Sequence, residues 1–109
     1  MIDVLQRLFR PRAAEAARSA MIEVLRESRV LIARPGNDFS WSSWEGPDDA
    51  LKEIDGLIEM IQRGEKPERV AISVIFAPTG PMQELSLSSG WGREFCAVAE
   101  RFDRAMRRL

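Results

Sequence analysis

The chain has 109 residues, of which 45% are apolar and 30% charged, a mixture that is ordinary for one globular domain spanning residues 1–109. It contains no histidine and one cysteine, which excludes a disulfide framework, a Cys/His zinc site and histidine-based catalysis, so we predict no metal and no cofactor. The formal net charge of −1 conceals basic ends around an acidic middle, with sums of +3 for residues 1–34 and −5 for 35–64.

The first third of the sequence predicts two helices separated by a proline. Ile2 to Phe9 can form a short N-terminal helix, which we expect Pro11 to end. An alanine-rich segment from Arg12 to Ala33 then has helical apolar spacing, and a proline and a glycine follow it. The opening residues hold neither a secretory apolar core nor a membrane span, so we expect a cytoplasmic protein with no membrane contact.

The middle of the chain predicts an irregular loop followed by an amphipathic helix. Residues 37–46 are rich in aromatic and turn-forming types and have no periodicity. Pro47 is suited to a first helical position, and Gly64 is placed to end the helix. The buried stripe between them comprises Ala50, Leu51, Ile54, Leu57, Ile58 and Ile61.

The last third predicts a β-hairpin and a C-terminal helix. Alternating apolar residues at 70–76 favour a strand, although Ile72, Ile75 and Phe76 also fit a helical period. Residues 77–82 contain two prolines and a glycine, which predicts a turn to a returning strand around Leu85 and Leu87. After Gly90, a strong apolar stripe predicts a helix, which we expect Ser89 or Gly90 to cap; the stripe comprises Phe95, Val98, Ala99, Phe102, Met106 and Leu109. The predicted fold class is therefore α+β and mostly helical, with three main helices and a short N-terminal helix packed on a small β-hairpin; the alternative is all-α.

The loop at 37–44 is the first candidate binding site. Asn37, Asp38, Trp41 and Trp44 combine hydrogen-bonding groups with two rigid indoles, which suit recognition of a sugar, a base or a peptide. The simpler interpretation is that both tryptophans pack the loop onto the core, because tryptophan is highly buried on average.

Two further segments could bind a ligand through backbone amides or side chains. Thr79, Gln83 and Glu84 belong to a turn that could cradle an anion or supply a base, although a tight hairpin turn explains the same residues. Trp91 lies in a glycine- and serine-rich segment at the expected start of the last helix, where free amides can also bind an anion.

The C-terminal helix carries a cysteine and five arginines. Helical spacing places Cys96 beside the apolar stripe, which predicts a half-buried, slowly reacting thiol. Opposite this stripe lie Arg93, Arg101, Arg104, Arg107 and Arg108. Acidic residues interrupt this face, and pairs such as Glu100 with Arg104 favour internal compensation, so we predict no nucleic-acid binding.

These patterns favour a non-catalytic intracellular binding or regulatory module that contacts a protein partner through the 37–44 and 79–84 loops. The absence of histidine and of a catalytic motif weighs against an enzyme. One alternative is a small enzyme or ligand-binding protein with a pocket between the same loops, using Asp38 or Glu84 as acid or base. Another is an inhibitor of the toxin-immunity type. We also predict a homodimer, formed in part through Leu5, Leu8 and Phe9.

Overall fold

The protein is an all-helical domain rather than the predicted α+β fold. A computed structural model describes the backbone of residues 2–109 and the side chains of residues 13–109. Five helices occur in this part of the chain: α1 (Ile2–Ile32), α2 (Pro47–Gln62), α3 (Arg69–Phe76), α4 (Pro81–Ser89) and α5 (Gly92–Arg108). No strand occurs among residues 2–109, so the predicted hairpin is wrong and the all-α alternative fits.

The predicted first strand is the helix α3. Ile72, Ile75 and Phe76 are buried, whereas Val70 and Val74 are exposed, which is the pattern of a one-sided helix. The ring of Phe76 stacks on that of Phe102 in α5, with centroids 4.2 Å apart and planes 16° from parallel. Packing against α5 therefore selects the helical period over the alternating one.

The predicted returning strand is α4, and the residues expected to form a hairpin turn connect α3 to it. Pro81 occupies the first turn of α4, where a missing N–H costs nothing. Gly90 ends α4 in the left-handed conformation, with φ of 83°, and the backbone N–H of Trp91 bonds the Ser86 carbonyl. Gly90 therefore ends α4 and does not cap the last helix. The residue before α5 is Trp91, so the predicted cap at Ser89 or Gly90 is wrong.

The long helix α1 passes through Pro11 without ending, so the predicted separation into two helices is also wrong. A single proline removes one hydrogen-bond donor, and the alanine-rich turns that follow it have high helix propensity. The side chains of Leu5, Leu8 and Phe9, on which the predicted dimer surface depends, lie outside the described residues.

The core lies where α2 and α5 pack along α1; α4 packs against α5, and α3 packs against α4. Its most completely buried apolar side chains in the first four helices include Met21, Leu25, Ile32, Ile54, Ile61, Ile72, Ile75, Met82 and Leu85. The predicted stripes of α2 and α5 are confirmed in their main members, since Ile54, Ile58, Phe95 and Phe102 are buried. A bidentate ion pair joins Arg29 of α1 to Asp55 of α2, with Nε–Oδ1 at 2.7 Å.

Candidate functional site

The loop between α1 and α2 lies along α4 and is hydrogen-bonded to it at both ends. At the C-terminal end of α4, the Asp38 N–H donates to Ser89 Oγ at 2.9 Å, and Ser88 Oγ donates to the Asp38 carbonyl at 2.7 Å. At the N-terminal end, Ser42 Oγ donates to the Pro81 carbonyl at 3.2 Å. The loop 37–44 and the segment 79–84, two separate candidate segments in the sequence, are therefore neighbours. The second segment is not a loop throughout, because its residues 81–84 begin α4.

Asn37 and Trp91 fix the start of this loop. The Asn37 amide donates to the carbonyls of Leu31 and Ile32, both at 2.9 Å, and so satisfies the end of α1. Its oxygen accepts a 2.9 Å hydrogen bond from the indole of Trp91, which is buried. The side-chain polar groups of both residues are thus used within the fold.

The two tryptophans of the loop have opposite environments. Trp44 is only 4% exposed, and its indole donates to Glu53 Oε2 of α2 at 2.8 Å. Trp41 is 74% exposed. The interpretation that both rings pack onto the core is correct for Trp44 and wrong for Trp41, which leaves a large apolar side chain in solvent on a fixed loop.

The neighbouring connection has an unusual backbone. Thr79 is exposed and has a φ of 66°, a conformation that costs a β-branched residue energy. Its N–H donates to the side-chain oxygen of Gln83 in the first turn of α4. Gln83 and Glu84 are half-buried, so this segment presents a short polar edge beside Trp41's loop.

The carboxylate of Asp38 is held in its ionised form. Hydrogen bonding from Ser40, through the side chain and through the backbone N–H at 2.9 Å, lowers the pKa of Asp38 below its usual value. A carboxylate with a lowered pKa is a weaker general base near neutral pH, so this geometry suits recognition of a positive group better than proton transfer.

Cys96 is exposed, which contradicts the expected half-buried thiol. It lies at the edge of a cleft of about 560 Å³ between α3 and α5, whose floor includes Phe76 and Phe102. The apolar stripe of α5 is narrower than the spacing suggested, because Phe95 and Val98 turn inward while Cys96 faces solvent.

Within residues 13–109, four of the five arginines of α5 form no ion pair within 4.0 Å, contrary to the expected internal pairing. Among the described residues, Arg101 pairs with Glu27 of α1, with Nη2–Oε2 at 2.6 Å. The helical pair of Glu100 with Arg104 does not form within 4.0 Å, and neither does that of Asp103 with Arg107.

A cleft of about 660 Å³ between α1 and α5, here called the arginine cleft, is lined by Arg26, Arg101, Arg104 and Arg108 together with Glu23 and Glu27. The sequence does not reveal this cleft directly, because Arg26 belongs to another helix. The helical spacing of Arg101, Arg104 and Arg108 is the one signal of it that the sequence contains.

The fold and this geometry define a class: a small all-α domain that presents a hydrogen-bonded aromatic loop along its fourth helix. The chain matches no known protein family, no curated protein and no solved structure. Within residues 2–109, no helix has a stretch long and apolar enough to cross a membrane.

Proposed function

We propose that this chain is a non-catalytic binding module that contacts a protein partner through the 37–44 loop and the adjacent 79–84 segment, which includes the first turn of α4. The observation that carries the proposal is Trp41, which is 74% exposed on a loop that is hydrogen-bonded to α4 on both sides of it, through the Asp38 backbone and the Ser42 side chain. Tryptophan is among the residue types most enriched in the side chains that dominate the energy of protein interfaces.

The fixed backbone of this loop favours binding. A flexible loop loses conformational entropy when it binds, and that cost subtracts from affinity. Here the contacts of Asp38, Ser42 and Trp44 with α4 and α2 already restrict the loop. Trp41 therefore acts as a preorganised anchor, of the kind that rigid aromatic side chains provide in binding loops.

The charge around Trp41 indicates the chemistry of the partner. Asp38 lies in the same loop, and Glu84 belongs to the adjacent helix α4. Residues 35–64 as a whole sum to −5. We therefore propose a partner with an apolar pocket for the indole, bordered by basic side chains.

The alternative of a small enzyme has less support. It needs Asp38 or Glu84 as an acid or base, and the lowered pKa of Asp38 makes that residue a poorer base. Inhibition of a toxin is one form that the proposed binding could take.

The proposal is tested by site-specific photo-crosslinking in the cell of origin. A photoreactive phenylalanine analogue is placed at Trp41 and, as a matched control, at Val70, which is 68% exposed on α3. We expect one protein to be captured at position 41 and not at position 70. Capture of the same proteins at both positions would contradict the proposal.

The captured partner is then purified and its affinity measured. Trp41→Ala should weaken binding by at least about 2 kcal/mol, roughly thirtyfold in Kd, whereas Val70→Ala should leave it unchanged. Both side chains are exposed, so each substitution should change the free energy of unfolding by less than about 0.5 kcal/mol. Equal affinities for the two variants would refute the role of Trp41.

A further inference from the structure

The seam between α1 and α5 carries a second surface, distinct from the Trp41 loop. Beyond the arginine cleft the seam continues into a groove of about 300 Å³, here called the apolar groove, lined mainly by Val30, Leu31, Ala97 and Val98. Val30 is 67% exposed there. Glu27 and Arg101 line both depressions, so the two form one continuous surface.

The dimensions of this surface fit one helix. The lining residues run from Ala20 to Val30 on α1 and back from Arg108 to Glu94 on α5, so the helices are antiparallel at the seam. Ten residues of helix rise about 15 Å, and fourteen rise about 21 Å. A third helix of about three to four turns can therefore lie in the seam and contact both walls.

The arginines of the seam indicate which side chains that third helix should carry. The Glu27 carboxylate already holds Arg101 in a bidentate contact, through Nη1–Oε1 at 2.8 Å and Nη2–Oε2 at 2.6 Å. Arg26, Arg104 and Arg108 form no ion pair with any described residue. Their guanidinium groups can donate hydrogen bonds to partner carboxylates in the same bidentate geometry.

We propose that the seam between α1 and α5 binds an acidic amphipathic helix of a partner protein, with its carboxylates at Arg26, Arg104 and Arg108 and its apolar side chains on Val30 and Ala97. The seam is basic at the end nearest Arg108 and apolar at the end nearest Val30. The ligand helix must therefore be acidic at one end and apolar at the other.

A protein helix fits this surface better than nucleic acid. Glu23 and Glu27 lie among the four arginines, and Glu94 borders the apolar groove. A run of phosphates would meet these carboxylates and then an apolar surface, whereas nucleic-acid sites present uninterrupted positive charge.

The probe for the test is a synthetic helical peptide of about 14 residues, with glutamates on its first two turns and leucines at helical spacing on its last two. A matched peptide has lysine at every glutamate position. Each is titrated into the isotope-labelled full chain and followed by amide chemical shifts. We expect the acidic peptide to shift the signals of Val30, Ala97 and Arg104, and to bind more weakly as salt is added.

Matched variants test each end of the seam. Arg104→Ala combined with Arg108→Ala should weaken the acidic peptide about tenfold, whereas Arg93→Ala combined with Arg107→Ala should not. The apolar end is tested by Val30→Ser. This change should also weaken binding, and Trp41→Ala should have no effect, which separates this proposal from that for the loop.

Four results would overturn the proposal. One is equal binding of the acidic and lysine peptides, and another is shifts confined to the 37–44 loop. Tighter binding of duplex DNA than of the acidic peptide would assign the arginines to nucleic acid. A dimer in light scattering that the Arg104→Ala and Arg108→Ala pair converts to monomer would assign the seam to a second copy of this chain.

Discussion

Replacing Gly80 by alanine should destabilise the fold strongly, although the backbone at this position is unstrained. Gly80 precedes α4 with φ of −79° and ψ of 174°, an extended conformation that any residue adopts. The requirement for glycine comes from space. A Cβ atom here would lie 2.2 Å from the Val74 carbonyl oxygen and 2.9 Å from that of Ala77.

The cost follows from what must move. The Cβ needs roughly 1 Å more room than the structure provides, and the obstructing atoms are backbone rather than flexible side chains. The shift also strains the 2.9 Å hydrogen bond from the Gly80 N–H to the Ala77 carbonyl, which holds the connection from α3 to α4. We expect the upper part of the usual overpacking range, about 3 kcal/mol.

Urea and thermal denaturation followed by far-ultraviolet circular dichroism measure this loss. An unfolding entropy of about 2.1 cal/mol/K per residue gives about 0.23 kcal/mol/K for 109 residues, so Tm should fall by about 13 °C. Gly56→Ala is the matched control, because Gly56 lies within α2 and a Cβ atom there would have nothing within 4 Å. That change should instead stabilise the protein by about 0.5–1 kcal/mol.

Gly80→Ala and Gly56→Ala should change the free energy of unfolding in opposite directions. Both add one methyl group and both restrict the unfolded chain, so a large loss of stability at Gly80 alone reports the close approach there. A Gly80→Ala protein that is as stable as wild type, or that gains stability as Gly56→Ala does, would show that α4 does not approach α3 as closely as described.

Three further predictions address a thiol, a carboxylate and the oligomeric state. Cys96 is exposed, so its native thiol should react with an aromatic disulfide reagent nearly as fast as in denaturant; strong protection would contradict its position. The lowered pKa of Asp38 implies stability that is present above its unfolded value near pH 4 and lost as the pH falls through the folded value. The gap in stability between wild type and Asp38→Asn should therefore shrink below about pH 4, and a constant gap would refute this. Self-association stays a prediction: light scattering at several concentrations should show a dimer, and a single 12.4 kDa species throughout would contradict it.

The sequence predicts well those helices that have a long apolar stripe and recognisable residues at their ends. In α2, Pro47 and the acidic residues after it mark the start, and the apolar stripe continues for about four turns before Gly64. In α5, the buried residues follow one face over 17 residues. Patterns of this length distinguish a helix from a strand without knowledge of what packs against them.

Residues 70–76 are too short a segment for the same reasoning. They contain both an alternating pattern and a helical one, and only the tertiary contact of Phe76 with Phe102 distinguishes the two. The same limit applies to the candidate site. Nothing in the sequence separates Trp41 from Trp44, because the difference depends on tertiary contacts. Trp44 bonds Glu53 of α2, and the loop is held by Ser88 and Ser89 of α4, which are about 50 residues away in the chain.

The attachment of the aromatic loop also determines when it can form during folding. Asp38 is bonded to Ser89 across 51 residues and Asn37 to Trp91 across 54, so these contacts close large segments of chain. We expect contacts of such separation to form late, because the entropy of closing these long segments opposes them until the helices in between have packed. The loop that carries Trp41 therefore has its contacts only when α4 is packed against α5, which itself packs on α1. A partner that recognises this loop would thereby distinguish the fully folded chain from any form in which the C-terminal half has opened.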